Sequence, residues 1–440
     1  MSDLYVLIAF GVALVAMILM ISRWNVHPAI TLLIIVVGLG LALGLGVEES
    51  LNTLSNGLGS TVGKVGMIIF LGCVLGKMLE GSGAALRITS AAYNAFGPKK
   101  AIWAIAAASA LLGVPIFSDA IVIVLMPIVA NLAMQTNTSM AKYGTVLYLG
   151  AFVTASAIPP TPGPVAAASF LGVSMGEAIL WGALISVPGI IAGTLYAQSL
   201  KIDVAPKPEY LQQKPVEEGP SMSLLAAVAP IVLPIMLMMF GSLVGEQFEG
   251  SWLGEFLALI SDPTIALLIG VVLAFPLLGG KWRTKEVLND WMEDGLRLAA
   301  MPIIVTGLGG ALALIVRDTG VADSLASSVQ SMGIPPLLIP FIVGALVNTI
   351  TGSNTLGVLT SASIVQPLLP SLDISPLAAF LACASGSQIL KHPNSSGFWV
   401  TVSLSGMNVA QGIRAVGGAT LISGLVSGAF TYFFFIMGWV

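Results

Sequence analysis

The chain has 440 residues, of which 56% are hydrophobic and 9% charged, with a formal net charge of −4. A water-soluble domain carries roughly 25% charged residues, so this composition could not cover a surface facing water, and most of its solvent must be lipid. The absence of a basic excess leaves nucleic acid no surface to bind; Cys73 and Cys383, far apart in apolar runs, form neither a disulfide nor a metal site.

Taken in chain order against the ~20 apolar residues that cross a bilayer, the first expected span is 4–21, which lacks a positive leading segment and is too long for a secretion signal, so it reads as a retained helix. Spans follow at 28–47 and 64–79. Near the end of the latter, Lys77 and Glu80 lie one helical turn apart and read as an ion pair, while Gly72 and Gly76 read as close-packing positions. The stretch 101–133 is too long for one span and is interrupted by "PIFSD". It reads as a re-entrant hairpin, tolerated at membrane depth only where packed in protein or facing a watery cavity. Span 144–170 is broken by "IPPTPGP", and span 178–200 precedes the Pro-rich polar segment 201–222. In the second half, spans at 223–245, 264–280 and 298–316 lead to a second long stretch, 336–371, interrupted by "NTITGSNT". Span 376–408, broken by "LKHPNSSG", and span 415–437 complete the chain. The fold class is therefore an all-α polytopic membrane protein with two re-entrant hairpins and two broken helices.

Lys and Arg in the loops set orientation. The basic segments 22–27, 80–100, 134–143, 201–222, 281–297 and 409–414 alternate with acidic or neutral ones if both termini lie outside and both long stretches are hairpins. Arg317, beside Asp318, is the one dissenter. The halves repeat: "LGCVLGKMLEGSG" (71–83) parallels "LGGALALIVRDTG" (308–320), pairing Gly72 with Gly309 and Gly83 with Gly320. "FSDA" (117–120) then parallels "GSNT" (352–355), and "PPTPG" (159–163) parallels "HPNSSG" (392–397). The first copy is entered from outside and the second from inside, so the repeats are inverted, as in many transporters. The expected division is scaffold helices in 1–50, a first inverted repeat in 51–200, a cytoplasmic linker in 201–222 and a second half in 223–440.

The four interruptions carry the chemistry. Proline removes a backbone donor and breaks a helix, and a break frees carbonyls on one side and N–H groups on the other. The N–H groups and positive helix ends suit an anion; the carbonyls suit a cation. Candidate substrate-binding residues are Ser118 and Asp119 at the first hairpin tip, Gly352, Ser353, Asn354 and Thr355 at the second, Thr161 and Gly163 in the first break, and Lys391, His392, Asn394, Ser395 and Ser396 in the second. Asp119 has no Lys, Arg or His within ten residues on either side. An ionisable group within a membrane is costly and marks function by default, so Asp119 is also the candidate ion-coupling residue. Its repeat mate is Asn354, the neutral isostere.

These motifs resemble the gluconate permease family of bacterial proton-coupled symporters. The likeness runs from "STVGKVGMIIFLGCVLGKMLEGSG" through "GVPIFSDAIVIVLMPI" and "IPPTPGPVAAASFLGV" to "HPNSSGFWV". The resemblance implies a bacterial inner-membrane carrier for sugar acids or related hydroxy acids, a place in the wider ion-transporter superfamily with inverted repeats and paired hairpins, and a homodimer moving by an elevator-like step. The chain departs from the family pattern at Ser118, at Asn348 where an Arg is usual, and at Lys391 and Ser395, where a Ser and an Asp are usual. The expected activity is secondary transport of a small organic anion with H+ or Na+ as coupling cation and no cofactor. Lys391 and His392 would hold the carboxylate, and Ser118, Asn354, Asn394 and Ser395 would read hydroxyls. A carrier for a hydroxy amino acid or other zwitterion is the rival; an intramembrane enzyme finds no His-Glu-x-x-His, paired Asp cluster or Gly-x-Ser-x-Gly to support it.

Overall fold

A computed structural model describes residues 3–24, 26–211, 222–244, 248, 250–319, 321 and 334–440. Most of the expected linker (212–221), part of the acidic loop near 246–249 and Gly320 of the repeat motif lie outside the described residues. Every regular element described is helical. The first half holds α1 (Asp3–Ser22), α2 (Pro28–Ala42), α3 (Val47–Gly81), α4 (Ala84–Phe96), α5 (Ala101–Leu112), α6 (Ser118–Gln135), α7 (Met140–Ala157), α8 (Pro162–Leu171) and α9 (Met175–Ser199). The second holds α10 (Leu224–Val244), α11 (Trp252–Ser261), α12 (Pro263–Ala274), α13 (Trp291–Asp318), α14 (Leu338–Thr351), α15 (Asn354–Val365), α16 (Pro376–Gly386), α17 (Ser396–Ser405) and α18 (Gly418–Ile436). Eight helices among the described residues are long and apolar enough to cross a membrane, which makes this a multi-pass membrane protein. Their outer faces carry apolar side chains at helical spacing, such as Val187, Ile191 and Leu195 on α9.

Both interrupted stretches break at the expected places. Hairpin 1 consists of α5, a bend at 113–117 and α6; hairpin 2 consists of α14, Gly352-Ser353 and α15. The two broken spans appear as α7 and α8, separated by 158–161, and as α16 and α17, separated by 387–395. Several boundaries differ from the sequence expectation. The span placed at 64–79 is the end of a 35-residue helix that begins at Val47, because "VEES" supplies acidic first-turn residues rather than a loop. The polar segment 80–100 is mostly the amphipathic α4, and the acidic segment 246–256 contains the start of α11, capped by Ser251. At 18 residues, α6 is longer than a half-helix arm and meets the length of a span.

The two longest helices, α3 and α13, pack side by side on small residues. A Cβ at Gly57 would collide with the Ala311 backbone, one at Gly310 with the Thr61 hydroxyl, and one at Gly307 would come within 2.8 Å of Val62. Lipid gives two helices no hydrophobic drive to associate, so close backbone approach of this kind holds them through packing. Each half contributes one of these helices, and the end of α3, from Cys73 to Glu80, reaches the hairpin tips and the second break.

Candidate functional site

A cavity of about 680 Å³ lies where these elements meet, within the ~300–1,000 Å³ range of small-molecule sites. It is lined by both hairpin tips (Phe117–Ala120 and Thr351–Asn354), the second break (Lys391 and Asn394–Gly397), Tyr148 of α7, and Cys73, Gly76, Lys77 and Glu80 of α3. Three helices begin at its wall: α6 at Ser118, α15 at Asn354 and α17 at Ser396. Their first-turn N–H groups lack intrahelical partners, so the wall presents three positive helix ends.

Asp119 lies in the first turn of α6 and is half-buried. Ser396 Oγ donates to its Oδ2 at 2.7 Å, and Ser118 Oγ approaches its Oδ1 at 3.4 Å. Since Ser396 opens α17, the carboxylate lies between the first turns of two helices. Hairpin 1 is thereby joined to the break of the other half. The converse junction also forms: Asn354 Nδ2 donates to Ser156 Oγ of α7 at 3.2 Å, and a Cβ at Gly163 would press on the Thr355 backbone at 3.2 Å.

Hairpin 2 and the second break are pinned together by carbonyl capping. Lys391 is 2% exposed, and among the described residues it is the one charged side chain that is buried. Its Nζ donates to Asn348 Oδ1 at 2.8 Å and to the Gly352 carbonyl at 2.6 Å, and lies 4.9 Å from the centre of the Phe152 ring. Asn348 Nδ2 donates in turn to the Ile389 carbonyl at 2.6 Å. His392 Nε2 donates to the Thr349 carbonyl at 2.7 Å, and Asn394 Nδ2 to the Thr349 and Ile350 carbonyls at 2.7 and 2.9 Å. The Thr349, Ile350 and Gly352 carbonyls lie at the C-terminal end of α14, where cationic and amide donors fit the helix dipole. Gly352 has φ +71°, and a Cβ there would run into the Asn394 carbonyl, so the tip needs glycine on both counts.

The structure thus gathers Ser118, Asp119, Gly352, Ser353, Asn354, Lys391, Asn394, Ser395 and Ser396 around one cavity. It does not bring Thr161, Gly163, Thr355 or His392 to the cavity wall. Thr161 Oγ1 donates to the Ala155 and Ile158 carbonyls, both at 2.8 Å, and so closes the first break on itself. The first break backs the tip of hairpin 2 instead of facing the cavity. The cation absent at Asn348 and the one present at Lys391 also prove to be one place, because the ammonium rests on the Asn348 amide. Sequence reasoning missed Tyr148, which lies ten residues before the break of its span with no polar cluster to mark it, and gave Lys77 and Glu80 only a structural part. Lys77 Nζ is 3.8 Å from Glu80 and 3.8 Å from Asp294 of α13, so the expected pair exists but shares its lysine. Gly72 and Gly76 are close-packing positions, though their neighbours are the Pro160 and Pro115 carbonyls of the break and hairpin rather than another helix.

A polytopic helical protein whose interrupted helices bring charged and polar side chains to one cavity between two halves is built as a membrane transporter. A family model described as GntP family permease matches residues 5–437. An uncharacterized permease of Haemophilus influenzae is 32% identical over 424 residues, covering 91% of this chain and 86% of its own. The high-affinity gluconate transporter of Escherichia coli is 30% identical over 417 residues, covering 93% and 94%. Among solved structures, the YdaH transporter of Alcanivorax borkumensis shares the fold at a TM-score of 0.63 and 15% identity, over 94% of this chain and 99% of that one. The chain belongs to the GntP permease family; it is a transporter, not an enzyme.

Proposed function

We propose that this permease is a cation-coupled symporter for a small organic anion of the sugar-acid or hydroxy-acid class. The observation that carries the proposal is the cavity wall itself: three helix N-termini, two lysines and a ring of hydroxyl and amide groups converge on one volume. Helix N-termini bind carboxylates through free N–H groups and their dipoles. Ser118, Ser353, Asn354, Asn394 and Ser395 supply donors and acceptors suited to a hydroxylated chain. The similarity to a gluconate transporter supports the same class. Asp119, facing the cavity, takes the coupling ion, either H+ or Na+. Alternating access by an elevator-like step of the hairpins, in a homodimer of the bacterial inner membrane with both termini outside, completes the proposal.

The test is exchange in liposomes containing the purified protein. Labelled D-gluconate, D-glycerate or L-lactate inside should exchange with unlabelled solute outside, and a proton or sodium gradient should drive uptake of at least one of them. Absence of exchange for all three would sink the proposal. A second reading, a carrier for a hydroxy amino acid, draws on the presence of both charge signs at the wall: the carboxylate would take the helix ends and the ammonium Asp119. Exchange of L-serine or L-threonine in place of the three anions would decide for it.

A further inference from the structure

The cavity has two lysines, and their surroundings differ. Lys391 is enclosed, with two short hydrogen bonds to Asn348 and Gly352 and an aromatic ring beside its ammonium. Lys77 is 25% exposed, and its two carboxylate neighbours, Glu80 and Asp294, are each 3.8 Å away. That exceeds the ~2.7–3.2 Å of an N–H···O hydrogen bond. Among the described residues no hydrogen bond from the Lys77 ammonium is formed. One lysine is committed to the protein; the other stands at the wall with its donors free.

Its position follows from the two glycines before it. A Cβ at Gly76 would lie 2.5 Å from the Pro115 carbonyl, and one at Gly72 would lie 3.2 Å from the Pro160 carbonyl. Only glycine lets α3 press this closely on hairpin 1 and the first break, and the next residue, Lys77, is thereby set beside the start of α6 at the cavity wall. We infer that Lys77, and not Lys391, is the cation that receives the substrate carboxylate, with Glu80 and Asp294 as the acceptors the substrate displaces, while Lys391 is a positioning residue that holds hairpin 2 to the second break. The inference rests on the reading of the substrate as an anion. Partly exposed ion pairs at this separation are weak, so a carboxylate that can close to hydrogen-bond distance of the ammonium wins the exchange. The charges facing Lys77 are Glu80 on its own helix and Asp294 on α13, with Asp119 and Lys391 on the same cavity wall.

The test is calorimetry on the purified full chain, with whichever of D-gluconate, D-glycerate and L-lactate binds the wild type most tightly. Lys77→Gln should weaken binding at least tenfold, and Lys77→Arg should keep part of the affinity. Glu80→Gln removes a competitor and should tighten binding severalfold, which no structural role for the ion pair would produce. This arm also serves if Lys77→Gln fails to fold. Unchanged affinity in Lys77→Gln, together with loss in Lys391→Gln at an unchanged melting temperature, would overturn the inference and leave the anion reading standing. Weaker or unchanged binding in Glu80→Gln would count against it equally. A folded wild type that binds none of the three anions would remove both.

Discussion

At the scale of single residues, Asp119 shows how a membrane protein keeps a carboxylate without an ion pair. Among the described residues no lysine or arginine lies within ion-pair distance of it; its partners are the hydroxyl of Ser396 and the N-terminus of its own helix. These contacts leave the carboxylate open to the cavity, which a tight ion pair would not. Asp119→Asn keeps the shape and an acceptor for Ser396 but cannot change charge. On the proposed coupling role, it should abolish gradient-driven accumulation, a fall of tenfold or more, while exchange without a gradient survives better. Uptake by liposomes under an imposed proton or sodium gradient checks this and identifies the ion; normal accumulation by the variant would refute the coupling role. The candidate status of Asp119 was legible because a lone acid in an apolar run is rare. Its partner Ser396 was legible only as a polar residue in a break, since the two are 277 positions apart.

At the scale of elements, each hairpin needs something at its tip to occupy the backbone groups a turn leaves open. Hairpin 1 bonds its turn back onto the end of α5, with the Ile116 N–H donating to the Leu112 carbonyl at 3.0 Å. Hairpin 2 ends on carbonyls, and the second break supplies Lys391, His392 and Asn394 to them. Lys391→Met would leave the Gly352 carbonyl and Asn348 Oδ1 without this donor, and each buried unsatisfied group costs about 1–3 kcal/mol. The variant should therefore melt at a clearly lower temperature in a fluorescence thermal scan, whereas Lys77→Gln, losing only loose contacts, should melt close to wild type. Equal melting of Lys391→Met and wild type would remove the pinning role. Breaks were readable from Pro, Gly and Ser clusters, because those residues interrupt a helix wherever they stand. Which breaks line the cavity was not readable: "IPPTPGP" is the densest cluster of the four, yet it packs behind hairpin 2, as Thr161 and Gly163 show.

At the scale of the whole molecule, the expected inverted arrangement and outside termini make a direct topological prediction. In a background lacking Cys73 and Cys383, both buried in the native fold, a single cysteine at Glu49, in the first turn of α3, should react with an impermeant thiol reagent added outside intact cells. Cysteines at Lys207 and Lys285 should not. Labelling at Lys207 from outside would reverse the orientation. The same experiment at Gln135, the last residue of α6, tests whether that 18-residue helix turns back as a hairpin arm, leaving Gln135 inside, or crosses, exposing it outside.

The sequence by itself determined the solvent, the helical class, the positions of the interruptions and the family, because all four follow from local quantities: the length of apolar runs, the helix-breaking chemistry of proline and glycine, and the motifs around them. The tertiary structure alone decided which lysine is bound up and which is free. Lys391 and Lys77 look alike in sequence, each a single cation within or beside an apolar span. They are separated by what packs against them: carbonyls at the end of α14 and the Phe152 ring enclose one, while glycine contacts with hairpin 1 set the other at the cavity wall. Those partners come from elements tens to hundreds of residues away, and the energy of a charge depends on the groups around it in space, not on its neighbours along the chain.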